Sequence, residues 1–306
     1  MSYRPPSLLF HHHLETIYPA LLRRVPALPY RRERLTTPDD DFLDLDWYEQ
    51  HNHRLVVISH GLEGNSQRPY ILGMVRQALA NGFDVLAWNF RGCSVEINRQ
   101  LRFYHSGATD DLRLVVAHAA ARYTQINLVG FSLGGNLTLK FLGEPDLLSA
   151  VKKAVAFSVP LHLSSSCDAI SQPGNWLYAQ RFLRHLKAKV MAKAKQFPQL
   201  DTAKLNTIRT LRDFDDHYTG PVHGFAGAED YYTRCSAIGF LANIPVPTLL
   251  VNARNDSFLS PQCFPDVANP GITTEYPLRG GHCGFVQFNR NGVYWSEERA
   301  LQFLST

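Results

Sequence analysis

Three side chains in this sequence have the types and order that covalent acyl chemistry needs. The first is Ser132, set in Gly130-Phe131-Ser132-Leu133-Gly134. Before it, Ile126-Asn127-Leu128-Val129 reads as a short buried strand. After it, Leu133, Leu137, Phe141 and Leu142 recur at helical spacing. Strand, G-x-S-x-G and helix together are the context of a turn so sharp that its serine is held exposed in a strained conformation. Small residues two before and two after then keep the turn clear of the neighbouring strand and helix. A Gly-rich turn with an idle serine would satisfy the same short pattern, so the reading rests on what else the chain supplies.

A serine hydroxyl is a poor nucleophile at neutral pH and needs an imidazole to take its proton. The imidazole in turn needs a carboxylate to fix its tautomer and to stabilise the imidazolium. Two stretches downstream fit, in the order serine, acid, histidine. Ala253-Arg254-Asn255-Asp256-Ser257 follows an apolar run and puts Asp256 at the carboxyl edge of a sheet, and Gly280-Gly281-His282-Cys283-Gly284 places His282 in a Gly-rich loop before the last helix. Asp230, Asp266 and Glu275 compete less well, lying in an insertion, beyond a proline and inside a strand. His60, His105, His162 and His223 precede the serine or fall near or inside the insertion. Acyl transfer also needs donors aimed at a developing oxyanion. The backbone N–H of Leu133 is one candidate, and that of Leu62, in His60-Gly61-Leu62-Glu63-Gly64, is the other.

The elements that must position these groups read as alternating strands and helices. Residues 33–37 and 42–49 flank the turn-forming 38–41 and predict an antiparallel hairpin, its second strand with one buried face. Arg54–Ser59 is a continuous apolar run, as for a central parallel strand. A helix over 67–81, a strand over 83–90, a helix over 109–122, the strand and turn at 126–134 and a strand over 154–159 follow. This alternation predicts an α/β fold with a mostly parallel sheet and helices on both faces. The rhythm breaks at Pro160. Residues 161–244 carry helical patterning, in which Leu183, Leu186, Val190, Ala194 and Phe197 form an apolar stripe opposite Arg184, Lys187, Lys189, Lys193 and Lys195. That pattern suits a surface helix packed on the body below with solvated lysines outside; it also offers a basic face to an anionic membrane. Strands resume at 247–253 and 273–276, and a helix starts at about Ser296. The organisation is thus an arm over 1–32, a core over 33–160 and 245–306, and a helical insertion over 161–244.

Composition excludes several classes. With 45% hydrophobic and 19% charged residues the 306-residue chain can bury a large core. A net charge of +4 is too small to argue for nucleic acid. The five cysteines are odd in number, widely spaced and without C-x-x-C, so free thiols in a reducing, cytoplasmic setting are expected. No stretch reads as a signal peptide or a membrane span. His11-His12-His13 invites a metal reading, but consecutive residues on a helix cannot all face one site, so a partly exposed arm is expected there. No metal or cofactor is implied.

Beyond the G-x-S-x-G, the segments His60-Gly61-Leu62-Glu63-Gly64, Asn89-Phe90-Arg91-Gly92-Cys93-Ser94, Tyr104-His105-Ser106-Gly107, Gly134-Gly135-Asn136 and Gly281-His282 resemble the α/β-hydrolase superfamily. Within it the chain is similar to the YheT-like esterases, bacterial relatives of mammalian α/β-hydrolase-domain lipases. Phe214-Asp215-Asp216 and Asp230-Tyr231-Tyr232 resemble the cap of that subfamily. The resemblance implies an eight-stranded sheet with one antiparallel strand, a cap over the site and carboxylic-ester hydrolysis, with fatty-acyl or small uncharged esters held in an apolar pocket. His105 and Asp110 also satisfy H-x-x-x-x-D, a pattern associated with acyltransferases, although here it opens a helix, where turn geometry explains it equally. An acyltransferase using the same acyl-enzyme, or a non-catalytic binding protein on the fold, are the alternatives. Acyl length, head group and oligomeric state are not legible.

Overall fold

The computed structural model describes residues 3–306. Among them, strands β1 (Arg31–Thr36), β2 (Phe42–Tyr48), β3 (Arg54–Ser59), β4 (Asp84–Asn89), β5 (Gln125–Phe131), β6 (Val151–Phe157), β7 (Thr248–Val251) and β8 (Ile272–Glu275) form one sheet in the order β1-β2-β4-β3-β5-β6-β7-β8. Only β2 runs against the rest, pairing antiparallel with both β1 and β4. The continuous apolar run of β3 has a plain cause. Leu55 and Val57 face one apolar cluster with Leu112 and Leu137, whereas Val56 and Ile58 face another with Ile71, Val75 and Leu301. A strand buried on both faces has no use for polar alternation.

Helices α2 (Pro69–Ala80), α3 (Thr109–Ala120) and α4 (Leu133–Gly143) connect the parallel strands, and α1 (His12–Leu21) precedes the sheet. The expected half-exposed face of the second strand is not found: every residue of β2 is buried. Its two aspartates are buried because the edge strand β1 sets an arginine directly across from each. Arg32 pairs with Asp46 at 2.6 Å and Arg34 with Asp44 at 2.8 Å. The same arginines keep the β1 edge charged, which discourages pairing with another chain.

Between β6 and β7 the chain is largely helical, with α5 (Leu163–Ile170), α6 (Trp176–Ala194), a π-helical stretch at Asp215–Thr219 and α7 (Ala228–Cys235). The lysines of α6 depart from the expected solvated face. Lys193 is fully buried and donates to the carbonyls of Asn98 and Gln100, and Lys189 reaches the Glu63 carboxylate at 2.6 Å. Charge does not keep a lysine in solvent when carbonyls and a carboxylate stand within reach. Phe197, the last residue of the expected stripe, lies beyond the helix end. The chain closes with α8 (Trp295–Ser305), packed with α2. No helix among the described residues is long and apolar enough to cross a membrane.

Candidate active site

Ser132 sits between β5 and α4 at φ 54°, ψ −121°, a backbone conformation that side chains other than glycine's rarely adopt. Two glycines allow it. A Cβ at Gly130 would stand 2.5 Å from the Gly134 carbonyl oxygen, and one at Gly134 would stand 2.4 Å from those of Ser59 and His60. Both collisions are with backbone, so neither neighbour can swing away. Gly61 lies against the serine from the β3 side: its added Cβ would meet Ser132 Cβ at 3.3 Å.

Two loops at the carboxyl edge of the sheet bring up the other groups. His282 Nε2 lies 2.9 Å from Ser132 Oγ, and His282 Nδ1 lies 2.8 Å from Asp256 Oδ2. The second oxygen of Asp256 accepts the Phe258 N–H at 3.0 Å, and the carboxylate is buried. Assigning the proton to Nδ1, which the carboxylate demands, leaves Nε2 free to accept from the hydroxyl. Burial alone would lower the His282 pKa. The Asp256 carboxylate beside it outweighs that and raises it above the ordinary imidazole value. The ring of Phe258 lies 4.3 Å from the imidazole, centroid to centroid, and shields it from water.

The histidine loop owes its position to residues that sequence reasoning passed over. Thr16 on α1 accepts the His282 N–H at 2.9 Å, and Ser158, at the end of β6, accepts the Cys283 N–H at 2.8 Å. Glu15, fully buried, accepts from Asn255 and from the Gly280 N–H and pairs with Arg279. The segment read as a partly exposed arm thus also holds, through Glu15 and Thr16, the loops that carry Asp256 and His282. Its three histidines do cluster, with ring centroids 4.0–5.1 Å apart, because His11 precedes the helix in extended conformation and folds back on His12 and His13.

Of the two expected oxyanion donors, Leu133 begins α4, where the first N–H groups have no partner within the helix. The Leu62 loop is braced on both sides. Gly61 N–H donates to the Tyr70 hydroxyl at 2.9 Å, and Glu63 N–H donates to that of Tyr104 at 2.8 Å. Tyr104 in turn donates to the Glu63 carboxylate, whose partner Lys189 belongs to the helical insertion. Burial alone would lower the Lys189 ammonium; Cys93 and Glu63 more than offset this and raise it. His60 is a brace rather than a base. Its Nδ1 bonds the Gly61 carbonyl, its Nε2 accepts from Phe90 N–H, and burial pushes its pKa down to about 3.

The remaining candidates lie apart. Asp110 pairs with Arg102 at 2.7 Å near the surface, while His105 is partly buried against His223, Phe225 and Tyr231; among the described residues no hydrogen bond joins the two. His162 caps α5, Glu275 pairs with Arg299, and Asp230 accepts from Ala226 N–H.

Ser132 and His282 line two cavities. The inner one, about 130 Å³, runs under the insertion past Leu163, Ile170 and Leu211 to a polar end at Asp215, Thr219 and Tyr232. The apolar pocket expected there is lined mainly by leucine, isoleucine and phenylalanine side chains, and the polar end is what the expectation lacked. Asp215 accepts from Tyr232 at 2.6 Å, and burial raises its carboxyl to about 6. The outer cavity, about 420 Å³, opens between α1 and α6 past Ile17, Leu21, Leu177 and Arg181. Asn136, two residues past the G-x-S-x-G, ties the insertion to this site. It donates to the carbonyls of Ser106 and Cys235 and accepts from Ala237 N–H.

The sequence profile of the alpha/beta hydrolase fold matches residues 54–287. YheT of Escherichia coli (strain K12) is 37% identical over 96% of this chain and 90% of its own length. Phospholipase ABHD3 of Mus musculus is 28% identical over 94% of this chain and 74% of its own, and Monoacylglycerol lipase of Saccharomyces cerevisiae is 28% identical over 90% and 63%. Among solved structures, the Pyrococcus furiosus esterase Pf2001 superimposes with a TM-score of 0.61 at 17% identity, covering 92% of this chain and 97% of that one, which is a likeness of fold.

Proposed function

The chain belongs to the alpha/beta hydrolase fold family, and on that premise we propose that it is a serine esterase in which Ser132, His282 and Asp256 form the catalytic triad. The observation that carries this is the continuous path from hydroxyl to imidazole to buried carboxylate, 2.9 and 2.8 Å in its two steps, where two cavities meet. Relatives named esterase, phospholipase and lipase support a carboxylic ester as substrate.

In this reading the Ser132 hydroxyl attacks the ester carbonyl as His282 Nε2 takes its proton. The N–H groups of Leu62 and Leu133 hold the oxyanion of the tetrahedral intermediate. Collapse expels the alcohol, which leaves with the proton from His282. Water then attacks the acyl-serine with His282 again as base, and the acid departs as Ser132 Oγ recovers its proton. Asp256 holds the imidazole in the right tautomer and stabilises the imidazolium. We assign the acyl chain to the inner cavity and the leaving alcohol to the outer, with residues 161–244 as the cap over both. With Asp110 turned to Arg102, nothing favours acyl transfer over hydrolysis. The five unpaired thiols support a reducing, cytoplasmic setting.

A p-nitrophenyl ester chain-length series with wild type and Ser132→Ala, together with a fluorophosphonate probe, tests the reading. Turnover is expected to fall by about a thousand-fold or more and labelling to vanish. Retained turnover or labelling in the alanine protein refutes it.

A further inference from the structure

The outer cavity opens through a rim that a soluble protein would ordinarily cover. Leu14 and Leu21 on α1 and Leu22 just past it are exposed, the last two by 62% and 65%. At the start of α6, Trp176 and Leu177 are exposed by 58% and 70%. The two helices are neighbours here: Leu21 and Leu177 line the same opening, and His13 on α1 bonds Tyr178 on α6 at 3.1 Å. Leu21 and Leu177 thus meet at one mouth, with Leu22 and Trp176 next to them in the chain and Leu14 two turns back along α1, and the exposed apolar side chains gather on these two neighbouring helices. Cations flank it. Arg24 stands exposed just past α1, and Arg181 and Arg184 are exposed on α6, a helix with no acidic residue. Other basic groups of α6 are turned inward, Lys187 to the Ile208 carbonyl, Lys189 to Glu63 and Lys193 to carbonyls, so the arginines are not its only cations but its outward ones.

Apolar side chains ringed by exposed arginines match an anionic bilayer, whose headgroups take the guanidinium groups while the indole and leucines enter the boundary of the acyl region. We propose that the α1–α6 rim is a docking surface for an anionic lipid membrane, set so that the mouth of the outer cavity faces the lipid. The occupant is a bilayer rather than a second protein because the patch is interrupted by an opening, which a lipid can enter and a folded partner would have to plug. Docking stands independently of the ester chemistry. It supplies the outer cavity with molecules that water would not deliver.

The chain carries its own reporter. Of its four tryptophans, Trp47, Trp88 and Trp295 are buried, at 1%, 1% and 3% exposure, and Trp176 alone lies on the rim. Vesicles of ether-linked phosphatidylglycerol, which hold no ester to cut, separate docking from hydrolysis. Wild type is expected to co-sediment with them, with a blue shift of its tryptophan emission. Binding should be much weaker to ether-linked phosphatidylcholine and weakened by 0.5 M salt. Arg184→Glu, a change of two charges, should lower affinity about thirty-fold. Trp176→Phe should still bind but show no shift, and Trp176→Ser with Leu22→Ser should not sediment. None of these residues lines either cavity, so hydrolysis of a soluble short-chain ester in each variant shows that the protein is folded. The proposal is overturned if wild type does not sediment, if it binds both lipids equally, or if the shift persists in Trp176→Phe. It is equally overturned if the patch proves to be a dimer contact, seen as self-association that Trp176→Ser abolishes. Ser132→Ala is expected to lose esterase activity and still dock as wild type does; loss of docking in that variant would overturn the independence of the rim from the ester chemistry.

Discussion

Replacing Lys189 by methionine tests whether the insertion holds the oxyanion loop in place. Lys189 Nζ lies 2.6 Å from Glu63 Oε1, and the two side chains are only 8% and 11% exposed. At an effective dielectric near 20 their attraction is about 6 kcal/mol, most of it offsetting the loss of hydration. Methionine fills the lysine stem but leaves the carboxylate buried, with the Tyr104 hydroxyl as its remaining donor. Stranding a buried charge in this way costs about 3–5 kcal/mol. Since Glu63 directly follows Leu62, relaxation of the carboxylate toward water must drag the Leu62 N–H from its place. Misplacing one oxyanion donor lowers kcat by about a hundred-fold, with KM for a short ester little changed. Glu63→Gln with Lys189→Met removes both charges while glutamine still accepts from Tyr104, so the double variant should lie within about 1 kcal/mol of wild type and regain most of its kcat. The assay is a double-mutant cycle, with urea unfolding for stability and initial rates on p-nitrophenyl acetate for kcat. Additive effects, or a Lys189→Met protein as stable and active as wild type, would refute the argument that the pair acts as a latch.

Other outcomes follow from the same geometry. Asp256 raises the His282 pKa, so the acidic limb of kcat/KM, where protonation removes the base, should have its midpoint above about 6.5. Asp256→Asn should move that limb to lower pH while cutting the rate, and an unmoved limb would show that another group titrates. Asp215 is held at about 6 by burial, so the folded protein favours its protonated form. Its contribution to stability is full below the usual carboxylate range and is lost as pH rises through about 6, amounting to up to about 3 kcal/mol; urea melts of wild type and Asp215→Asn at pH 4 and 7 should differ by that amount and sign. Gly134→Ala drives a methyl group into two backbone carbonyls and should cost about 2–3 kcal/mol and abolish fluorophosphonate labelling of Ser132, whereas full labelling would show that the turn can open.

What could be read from the sequence was whatever depends on neighbours in the chain. The apolar run before Ser132, the strand before Asp256 and the glycines around His282 are local signals, and the structure brings those three side chains together at the sheet edge. The parallel core was legible for the same reason, because β3 carries its double burial in its own composition. What escaped depends on partners far away. Nothing near Glu15 marks it as buried; it is buried because Asn255, Gly280 and Arg279, over two hundred residues on, surround its carboxylate. Lys189 and Lys193 read as solvated because a lysine announces its partner nowhere in its own helix. The alternation in β2 misled similarly, since Arg32 and Arg34 across the ladder turn its polar face into a buried one. Asp215 was visible as part of a resemblance, yet its place at the end of the inner cavity follows from the π-helical turn, for which the sequence offers no period.

The bend at Ser132 links strain to chemistry in one step. A serine at φ 54° costs about 1–2 kcal/mol relative to ordinary backbone. The cost would be met by a simple relaxation of the turn if the chain were free to relax. It is not: Ser132 N–H is fixed to the Phe157 carbonyl at 2.8 Å, and its own carbonyl accepts from Asn136 N–H at 3.0 Å, so strand and helix clamp the residue from both ends. With the clamp in place, the turn throws the side chain out toward His282 and starts α4 at the very next residue. That start leaves the Leu133 N–H without a helical acceptor and at the positive end of the helix dipole. The Ser132 hydroxyl and the Leu133 N–H, the proposed nucleophile and oxyanion donor, are therefore products of the same bend and cannot be moved independently. The proposed second donor, the Leu62 N–H, comes from a loop that the insertion braces through Lys189. On the proposed reading one donor is thus fixed by the core and the other by the insertion, and a displacement of the insertion would weaken the proposed oxyanion site without touching the serine.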